Sequence, residues 1–389
     1  MELSKRVWML EPERAFTILA KSTELERNGK SIIHFEIGEP NFKTPKHVSD
    51  AAIVAIRAGK TKYTPSLGTH ALREKLAEFM TISTGVNTRL TEVAVTPGCK
   101  NSLFVALAAI IEPGDEVIYP DPGFPAYVSL IKFFGGRPRP IPLVEERSFS
   151  FDIKKLRKIF SRKTKAIIIN SPGNPTGTII PKKDLEELAN LTDGTDTWII
   201  TDEIYSQIIY DNKPFVSVYS LPHMKKRTII ANGFSKNYAM TGWRFGFLVF
   251  PENIMERIDL LLNNSVSCTA SFTQDAALMA LTGSQEVVRK MVEEYQERRD
   301  FIVSSLNGIK GVTCLVPSGA FYAFPNIKAF KKSSQDLASY LLDEAGVALL
   351  DGTAFGKYGE GYLRISYATD LKNIRKGIGR IRYALEKLL

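Results

Sequence analysis

The sequence predicts an α/β protein with a largely parallel sheet, and two observations support this fold class. Short β-rich runs alternate along the chain with helical patterns, which is typical of strand–helix–strand units. Several of these runs are almost continuously apolar, such as AIIIN, WIITD and TIIAN, as expected for strands that helices cover on both faces. After about residue 283 the pattern changes, which predicts a second, smaller α+β lobe.

The individual elements follow from the same patterns. The predicted strands of the larger part span residues 92–96, 116–119, 165–170, 197–202, 228–232 and 245–250. The helical patterns there include residues 101–111, 182–191 and 253–264. The smaller lobe contains a charged helix at 285–306, four short strands (GVTCLV, GAFYAF, VALL and YLRISYA) and an amphipathic helix at 371–389. We therefore expect an N-terminal arm at 1–44 that joins the small lobe, a large domain at 45–283 and a small domain at 284–389.

Composition excludes several classes of protein. The chain has 389 residues, of which 44% are hydrophobic and 24% charged, as in ordinary soluble globular proteins. No apolar run approaches the roughly 20 residues that span a bilayer, and the first residues lack the apolar core of a secretion signal. Three scattered cysteines, Cys99, Cys268 and Cys314, fit neither a disulfide framework nor a zinc site, which favours the reducing cytoplasm.

The net charge of +9 does not by itself select a partner. The densest basic stretch, between Lys154 and Lys165, is typical of the solvated face of a short helix and lacks interleaved aromatic residues for base stacking. The four histidines show neither helical pairing nor cysteine neighbours, so they do not predict a metal site. We expect no binding to nucleic acid or membranes and no bound metal.

Four motifs carry chemistry, and all follow predicted strands, where open α/β sheets bind ligands. The first is VTPGCKNSLFVALAAI, in which a strand turns into an apolar helix. Its turn is expected to leave the N–H groups of Gly98, Cys99 and Lys100 unpaired, and a helix N-terminus with free N–H groups suits a phosphate. Taken alone, this motif is better explained as a plain strand–turn–helix with a turn glycine.

The second and third motifs supply an amide, a carboxylate and a phenol. NSPGNPTG is a stiff, irregular loop that is expected to present Asn174 to a ligand. TDEIYSQIIYD ends a strand at Asp202, where a buried carboxylate needs a cationic partner, and Tyr205 follows three residues later. The alternative for this motif is a helix-capping aspartate with a core tyrosine.

The fourth motif, NGFSKNYAMTGWRFG, supplies a lysine and phosphate ligands. Lys236 lies between apolar segments, which predicts a buried lysine of lowered pKa that is suited to Schiff-base chemistry. Ser235 and Arg244 are natural phosphate ligands. Together, the four motifs contain the groups that pyridoxal phosphate requires, namely an amine, an acid for the ring nitrogen, donors for the ring oxygen and an anion site.

The sequence also resembles the class I/II pyridoxal-phosphate aminotransferases of fold type I. The segments FEIGEPNFKTP, SPGNPTG, DEIY, SKNYAMTGWRFG and YLRISYA occur in that family's order and spacing, so the resemblance covers nearly the whole chain. It implies a large domain with a mostly parallel seven-stranded sheet between helices, together with a smaller α+β domain. It also implies a homodimer, in which Tyr63 of KYTPSLG reaches the phosphate in the neighbouring subunit's site.

The resemblance implies a role for each matching residue. Lys236 would form the internal aldimine and shuttle the substrate proton, and Asp202 would pair with the pyridinium nitrogen. Asn174 and Tyr205 would bind the ring's 3-oxygen. The remaining cofactor contacts would be stacking by Phe124 and phosphate binding by Gly98, Cys99, Lys100, Ser235 and Arg244. Cys99 replaces the Gly or Ser that is common in the family, and Phe124 replaces Trp or Tyr.

For the substrate, the resemblance implies that Arg364 of YLRISYA binds the α-carboxylate, with Gly38 offering its backbone and with Phe124 and Asn174 nearby. The implied reaction is ping-pong transfer of an amino group to a 2-oxo acid such as 2-oxoglutarate. Aspartate is the favoured donor, while aromatic amino acids and alanine stay open. The segments 16–18 and 37–38 are expected to line the pocket and to close on binding.

Two other functions remain open at this point. A C–S β-lyase, or a synthase acting on S-adenosylmethionine, would use the same lysine, aspartate and arginine on the same fold. A non-catalytic regulator that binds the cofactor would need a DNA-reading module, and the chain is expected to have none before Met1 or after Leu389.

Overall fold

The computed structural model describes residues 1–388. Its strands are β1 (Ile33–His34), β2 (Val93–Thr96), β3 (Glu116–Asp121), β4 (Arg137–Pro142), β5 (Thr164–Asn170), β6 (Trp198–Asp202), β7 (Thr228–Gly233), β8 (Gly246–Val249), β9 (Tyr322–Ala323), β10 (Val347–Ala348), β11 (Leu350–Asp351) and β12 (Leu363–Ser366). Its helices are α1 (Arg14–Arg27), α2 (Lys46–Arg57), α3 (His70–Thr84), α4 (Cys99–Ile110), α5 (Ala126–Phe133), α6 (Ile153–Ile159), α7 (Lys182–Thr192), α8 (Met255–Ser265), α9 (Ser271–Thr282), α10 (Glu286–Asn307), α11 (Ser334–Ala345) and α12 (Leu371–Glu386).

The predicted central sheet is confirmed. It contains seven strands in the order β2-β8-β7-β6-β5-β3-β4, and all neighbours are parallel except those that involve β8. The apolar run of β5 contributes to both faces, since Ile168 packs in one core cluster and Ile167 and Ile169 in another. Burial on both faces explains why this strand is continuously apolar rather than alternating.

The strand β4 was missed by the sequence analysis. Its sequence, RPRPIP, contains three prolines, which cannot donate hydrogen bonds to a sheet ladder. It pairs only with β3, at the edge of the sheet, where such residues are tolerated. A proline-rich edge strand carries little of the usual β-strand signal.

The smaller lobe combines α10, α11 and α12 with the three-stranded sheet β11-β12-β9. The short parallel pair β1-β10 joins the N-terminal segment to this lobe. The predicted strand GVTCLV is wrong, because only Thr313 forms an isolated bridge, with Asn326. The final helix ends at Glu386 rather than continuing to Leu389, which lies outside the described residues. Among the described helices, none has the length and apolar character that crossing a bilayer requires.

Candidate active site

The register of the central sheet brings the chemical motifs together. Asn170 at the end of β5 lies opposite Asp202 at the end of β6. On the other side, Gly233 at the end of β7 pairs with Gly246, which pairs in turn with Thr96 at the end of β2. The loops that follow β2, β5, β6 and β7 therefore meet at one edge of the sheet, where they face a cavity of about 480 Å³ that the small lobe helps to line.

Lys236 projects into this cavity from the loop after β7. Protein surrounds its amine, while part of the residue's surface faces the cavity. Its Nζ donates a hydrogen bond of 2.6 Å to the carbonyl oxygen of Gly38. Burial lowers the pKa of Lys236 to about 8, with a smaller contribution from the positive charge of Arg364. About a tenth of the amine is therefore neutral, and nucleophilic, at pH 7, far more than for a lysine of ordinary pKa.

Asp202 lies buried on the cavity wall. Its Oδ2 accepts a 2.7 Å hydrogen bond from the hydroxyl of Tyr127, and its Oδ1 accepts one of 3.2 Å from the N–H of Ile204. The Cys99 thiol lies 3.8 Å from Oδ1. Burial raises the pKa of Asp202, and no basic side chain in residues 1–388 forms an ion pair with it. A cationic ligand group at this point would provide the missing partner.

A tyrosine pair and an asparagine line the neighbouring wall. The hydroxyls of Tyr205 and Tyr322 are 2.6 Å apart. The Asn174 N–H donates to Oδ1 of Asn170 at 2.8 Å, which fixes the loop, whereas Oδ1 of Asn174 is buried without a partner. Because buried amide groups are normally hydrogen-bonded, the Asn174 side chain is available to a ligand.

The turn between β2 and α4 forms an anion site. Gly98 donates its N–H to Thr96 O at 2.8 Å, so the expectation of a free Gly98 N–H is wrong. The N–H groups of Cys99 and Lys100 begin α4, and no acceptor for them exists in the described part of the chain. The Arg244 guanidinium lies so close that a Cβ at Gly98 would stand 2.4 Å from its Nη2. Two free N–H groups, a helix N-terminus and a guanidinium together favour a bound anion.

Two other predicted phosphate ligands lie at the same end of the cavity. Ser235 is buried and lines the cavity beside Lys236. The Lys100 side chain is exposed and forms an ion pair with Glu13, while its Nζ lies 5.4 Å from the centre of the Phe124 ring. The Lys100 side chain therefore points away from the anion site, and only its N–H group faces that site.

Arg364 occupies the opposite end of the cavity. It is buried, donates from Nη2 to the carbonyl oxygen of Glu36, and lies 4.7 Å from the centre of the Tyr322 ring. Its Nε is buried without a partner, and within residues 1–388 no carboxylate forms an ion pair with it. Burial lowers the pKa of Arg364 because a buried charge without a counter-ion is costly, and a carboxylate ligand would supply that counter-ion.

The remaining predicted residues differ in their distance from the cavity. Gly38 lines it, and a Cβ on Gly38 would stand 2.1 Å from the Tyr322 hydroxyl, so only glycine fits. Phe124 also lines it, with its ring edge-on to that of Tyr127 at 5.7 Å. Phe16 and Ile37 face the same space, as expected for the two pocket segments. Tyr63 lies elsewhere on the surface and is 88% exposed.

Comparison with known proteins identifies the family. A model of the family described as aminotransferase class I and II matches residues 30–381. The chain belongs to this family. This class I/II aminotransferase has the fold type I architecture that its motifs predicted.

Full-length relatives have names of the same kind. The aminotransferase is 40% identical to a probable aspartate/prephenate aminotransferase of Aquifex aeolicus, over 99% of each chain. It is 38% identical to aromatic-amino-acid aminotransferase 2 of Thermococcus litoralis, over 100% of this chain and 99% of the relative. The structure of aspartate aminotransferase from Thermus thermophilus with maleate has a TM-score of 0.94 at 36% identity, covering 99% of this chain and 100% of that one. The protein is an enzyme of the transaminase class, and it depends on pyridoxal phosphate.

The cavity fits that cofactor. The free N–H groups beside Arg244 suit its phosphate, and the Asp202 carboxylate, without a cation, suits a protonated ring nitrogen. The Asn174 Nδ2, which donates to no acceptor in the described residues, and the Tyr205 hydroxyl can both donate to the ring oxygen. The Lys236 amine completes the set of groups that the cofactor needs.

Several residues in or beside the cavity were missed by the sequence analysis. Tyr127, on the first turn of α5, was overlooked although it follows Phe124 by three residues in YPDPGFPAY. Tyr322 lies among apolar residues in GAFYAF, a pattern typical of any buried strand. Arg14 begins α1 and had no distinguishing motif. Only the folded chain brings Tyr322 and Arg14 to the cavity wall and Tyr127 against Asp202 behind that wall.

Proposed function

We propose that the enzyme transfers the amino group of an L-amino acid, with aspartate favoured, to a 2-oxo acid such as 2-oxoglutarate, in a ping-pong reaction that depends on Lys236. One observation supports this most directly. The buried Lys236 amine shares a single cavity with an unpaired buried carboxylate, Asp202, and an unpaired buried guanidinium, Arg364.

Bound pyridoxal phosphate supplies an aldehyde that binds amino groups and a protonated ring that withdraws electrons from the Cα–H bond. Lys236 Nζ would hold the cofactor and then take the proton from the substrate Cα and return it during transfer. Asp202 would keep the ring nitrogen protonated, and Tyr127 would hold the Asp202 carboxylate in place through its 2.7 Å hydrogen bond.

The other residues bind and orient. Asn174 and Tyr205 would donate hydrogen bonds to the ring oxygen, and Phe124 would cover the ring face. The phosphate would be held by Ser235, by Arg244 and by the turn at Gly98, Cys99 and Lys100. In that turn, the free N–H groups are those of Cys99 and Lys100. Cys99 can serve here in place of Gly or Ser because its N–H, not its thiol, faces the anion.

Arg364 would bind the substrate α-carboxylate in a bidentate pair, and the Gly38 N–H and the Asn174 side-chain NH2 would be available as further donors to that carboxylate. The stacking of Arg364 over Tyr322 and Phe355, at 4.7 and 5.2 Å, orients its guanidinium. Burial of this group excludes water from the carboxylate and strengthens the pair.

A half-reaction tests the proposed function. Cofactor-loaded enzyme is mixed with one amino acid at a time, without a 2-oxo acid, while its absorption spectrum is recorded. We expect aspartate to convert the cofactor from its aldehyde form to its amine form most rapidly. Release of ammonia or a thiol with the cofactor left in the aldehyde form would instead identify a lyase or a synthase. Spectral change without any product would identify a binding protein.

The preference for aspartate requires a second cation, and Arg14 is the best candidate. It lines the cavity from the start of α1. Its Nη1 is held by Asp351 and by the Thr353 hydroxyl at 3.0 Å. For its Nη2 and Nε, the described chain offers no hydrogen-bond acceptor. One edge of this anchored guanidinium is therefore available to a distal carboxylate.

Replacing Arg14 with Gln is expected to raise KM for aspartate about 10- to 100-fold, because a hydrogen-bonded charge pair is lost. KM for phenylalanine and alanine should change by less than about threefold, since neither carries a distal carboxylate. The matched control is Arg27→Gln, which alters an exposed arginine at the other end of α1. Equal losses for all three donors would assign Arg14 a structural role instead.

The proposed assembly is a homodimer located in the cytoplasm, which the three free thiols suit. The exposed Tyr63 and the nearby apolar side chains of Val54 and Ile56, 65% and 49% exposed, support an interface on this side of the chain.

We expect Tyr63→Phe to weaken cofactor binding about tenfold or more, because the hydrogen bond from Tyr63 to the phosphate of the cofactor in the partner subunit is lost. The sedimentation mass should stay that of two chains. Tyr383→Phe, at another exposed tyrosine, is the control. A monomeric enzyme of full activity would contradict the proposal.

A further inference from the structure

A second buried carboxylate, Glu36, lies beside Arg364 and has no part in the proposed reaction. Its side chain is completely buried. Its backbone carbonyl oxygen accepts a hydrogen bond from Nη2 of Arg364. In the side chains, Oε2 of Glu36 and Nε of Arg364 are both buried without a hydrogen-bond partner. Attraction to Glu36 also opposes the lowering of the Arg364 pKa by burial.

A buried acid so near to the guanidinium is a competitor for it. If the Glu36 side chain turned towards Arg364, its carboxylate would occupy the donors that a substrate carboxylate needs. The two orphaned atoms show that such a pair would satisfy both residues. Something must therefore hold the Glu36 carboxylate in another direction.

His34 is the residue that does so in this structure. It lies two residues before Glu36, on the same face of an extended segment, and its Nδ1 is 2.7 Å from Oε1 of Glu36. Its Nε2 lies 3.2 Å from Oε1 of Glu26 on α1. The hydrogen bond to Glu36 raises the pKa of His34 to about 9, so the imidazole is cationic at neutral pH.

The surroundings of His34 contain few other charges. Its neighbours on β10, Val347 and Ala348, are apolar. Arg380 on α12 binds the carbonyl oxygens of Ser31 and Gly346, at the start of the two paired strands. The charged groups that face the His34–Glu36 pair are therefore Glu26 on α1, Arg364 on β12 and, further along, Arg380.

We propose that His34 is a positioning residue, which pairs with the Glu36 carboxylate and so keeps the Arg364 guanidinium available for the substrate α-carboxylate. The inference rests on the proposed function in one respect, that Arg364 binds this carboxylate. The buried Glu36 then acts as an internal competitor, whose strength depends on the charge of His34.

Variants of the pair test the proposal through KM. His34→Gln removes the positive charge and is expected to raise KM for the amino acid about tenfold or more, the factor by which close charge pairs are coupled, with kcat changed less than about twofold. His34→Lys, which keeps a cation, should restore most of the affinity. Adding Glu36→Gln to His34→Gln should restore it as well, because the competitor is then neutral. His70→Gln, at an exposed histidine on α3, is the control.

The pH dependence follows from the direction of the pKa shift. Since the pKa of His34 in the folded protein is raised to about 9, the imidazole pairs with Glu36 as a cation at neutral pH, and this pairing is lost as the pH rises through about 9. In the wild-type enzyme KM should therefore rise above pH 9, whereas in His34→Gln it should be high throughout and lack this step. Titration of the His34 imidazole by NMR in the wild-type protein gives an independent reading that does not require turnover.

The outcomes separate this proposal from the proposed function. A wild-type enzyme that transfers no amino group overturns the proposed function, whatever His34 does. An active enzyme whose KM is the same in His34→Gln, or in which Glu36→Gln fails to restore the loss, overturns the positioning role. A His34 imidazole that titrates near 6.5 in the folded protein also overturns it.

Discussion

Replacing Lys236 with alanine is expected to lower the rate of transamination by about four orders of magnitude or more. In the proposed reaction the lysine both holds the cofactor and moves the Cα proton, so one substitution removes two functions. The other lysine on the cavity wall, Lys100, cannot substitute, because its side chain is exposed and paired with Glu13. The rate of the half-reaction with aspartate, measured in a single turnover, gives the size of the loss.

The fold should survive this substitution. The only hydrogen bond of Lys236 Nζ within the described residues goes to the Gly38 carbonyl, and the amine otherwise faces the cavity. Lys226→Ala, at an exposed lysine, is the control for a lost positive charge, and Lys236→Arg keeps the charge without a reactive amine. Both Lys236 variants should unfold at nearly the wild-type temperature. Turnover in Lys236→Ala within tenfold of wild type would contradict the assignment.

The sequence predicted the central sheet and much of the cavity for one physical reason. Strands buried on both faces must be continuously apolar, and chemistry-bearing residues such as Asn174, Asp202 and Lys236 follow directly after them. Because the carboxyl ends of parallel strands meet at one edge, strand order in space need not be known to group these residues. Where this signal was missing, as in the proline-rich β4, the prediction failed.

The rest of the cavity depends on contacts that no local pattern encodes. Tyr322 meets Tyr205 across 117 residues of sequence, and Arg364 meets the Glu36 backbone across 328. The Gly98 N–H is occupied by a hydrogen bond to the Thr96 carbonyl oxygen, and the turn geometry that causes this cannot be recognised from the motif. His34 was set aside as a histidine without a metal pattern, and its pairing with the buried Glu36 became visible only in the folded chain.

Replacing Asp202 with asparagine is expected to lower kcat roughly a thousandfold, because removing one partner of a buried ion pair costs about 3–5 kcal/mol. An amide cannot keep the ring nitrogen protonated, so the ring withdraws electrons from the Cα–H bond less strongly. The shape of the site should be largely preserved, since the amide oxygen can still accept the Ile204 N–H while the amide NH2 donates to the Tyr127 hydroxyl oxygen. Rates of Cα-proton exchange, measured with aspartate deuterated at Cα, should fall in parallel with kcat.

A matched control distinguishes this effect from the general cost of altering a buried acid. Asp121 at the end of β3 is also buried, and burial likewise raises its pKa, but it accepts the Tyr358 N–H and does not line the cavity. Asp121→Asn should therefore lower the unfolding temperature without a comparable loss of kcat. Equal losses of kcat in both variants would mean that Asp202 acts only as a buried carboxylate that stabilises this edge of the sheet, as Asp121 does. A loss confined to Asp202→Asn would assign to that carboxylate the electrostatic role that the chemistry requires.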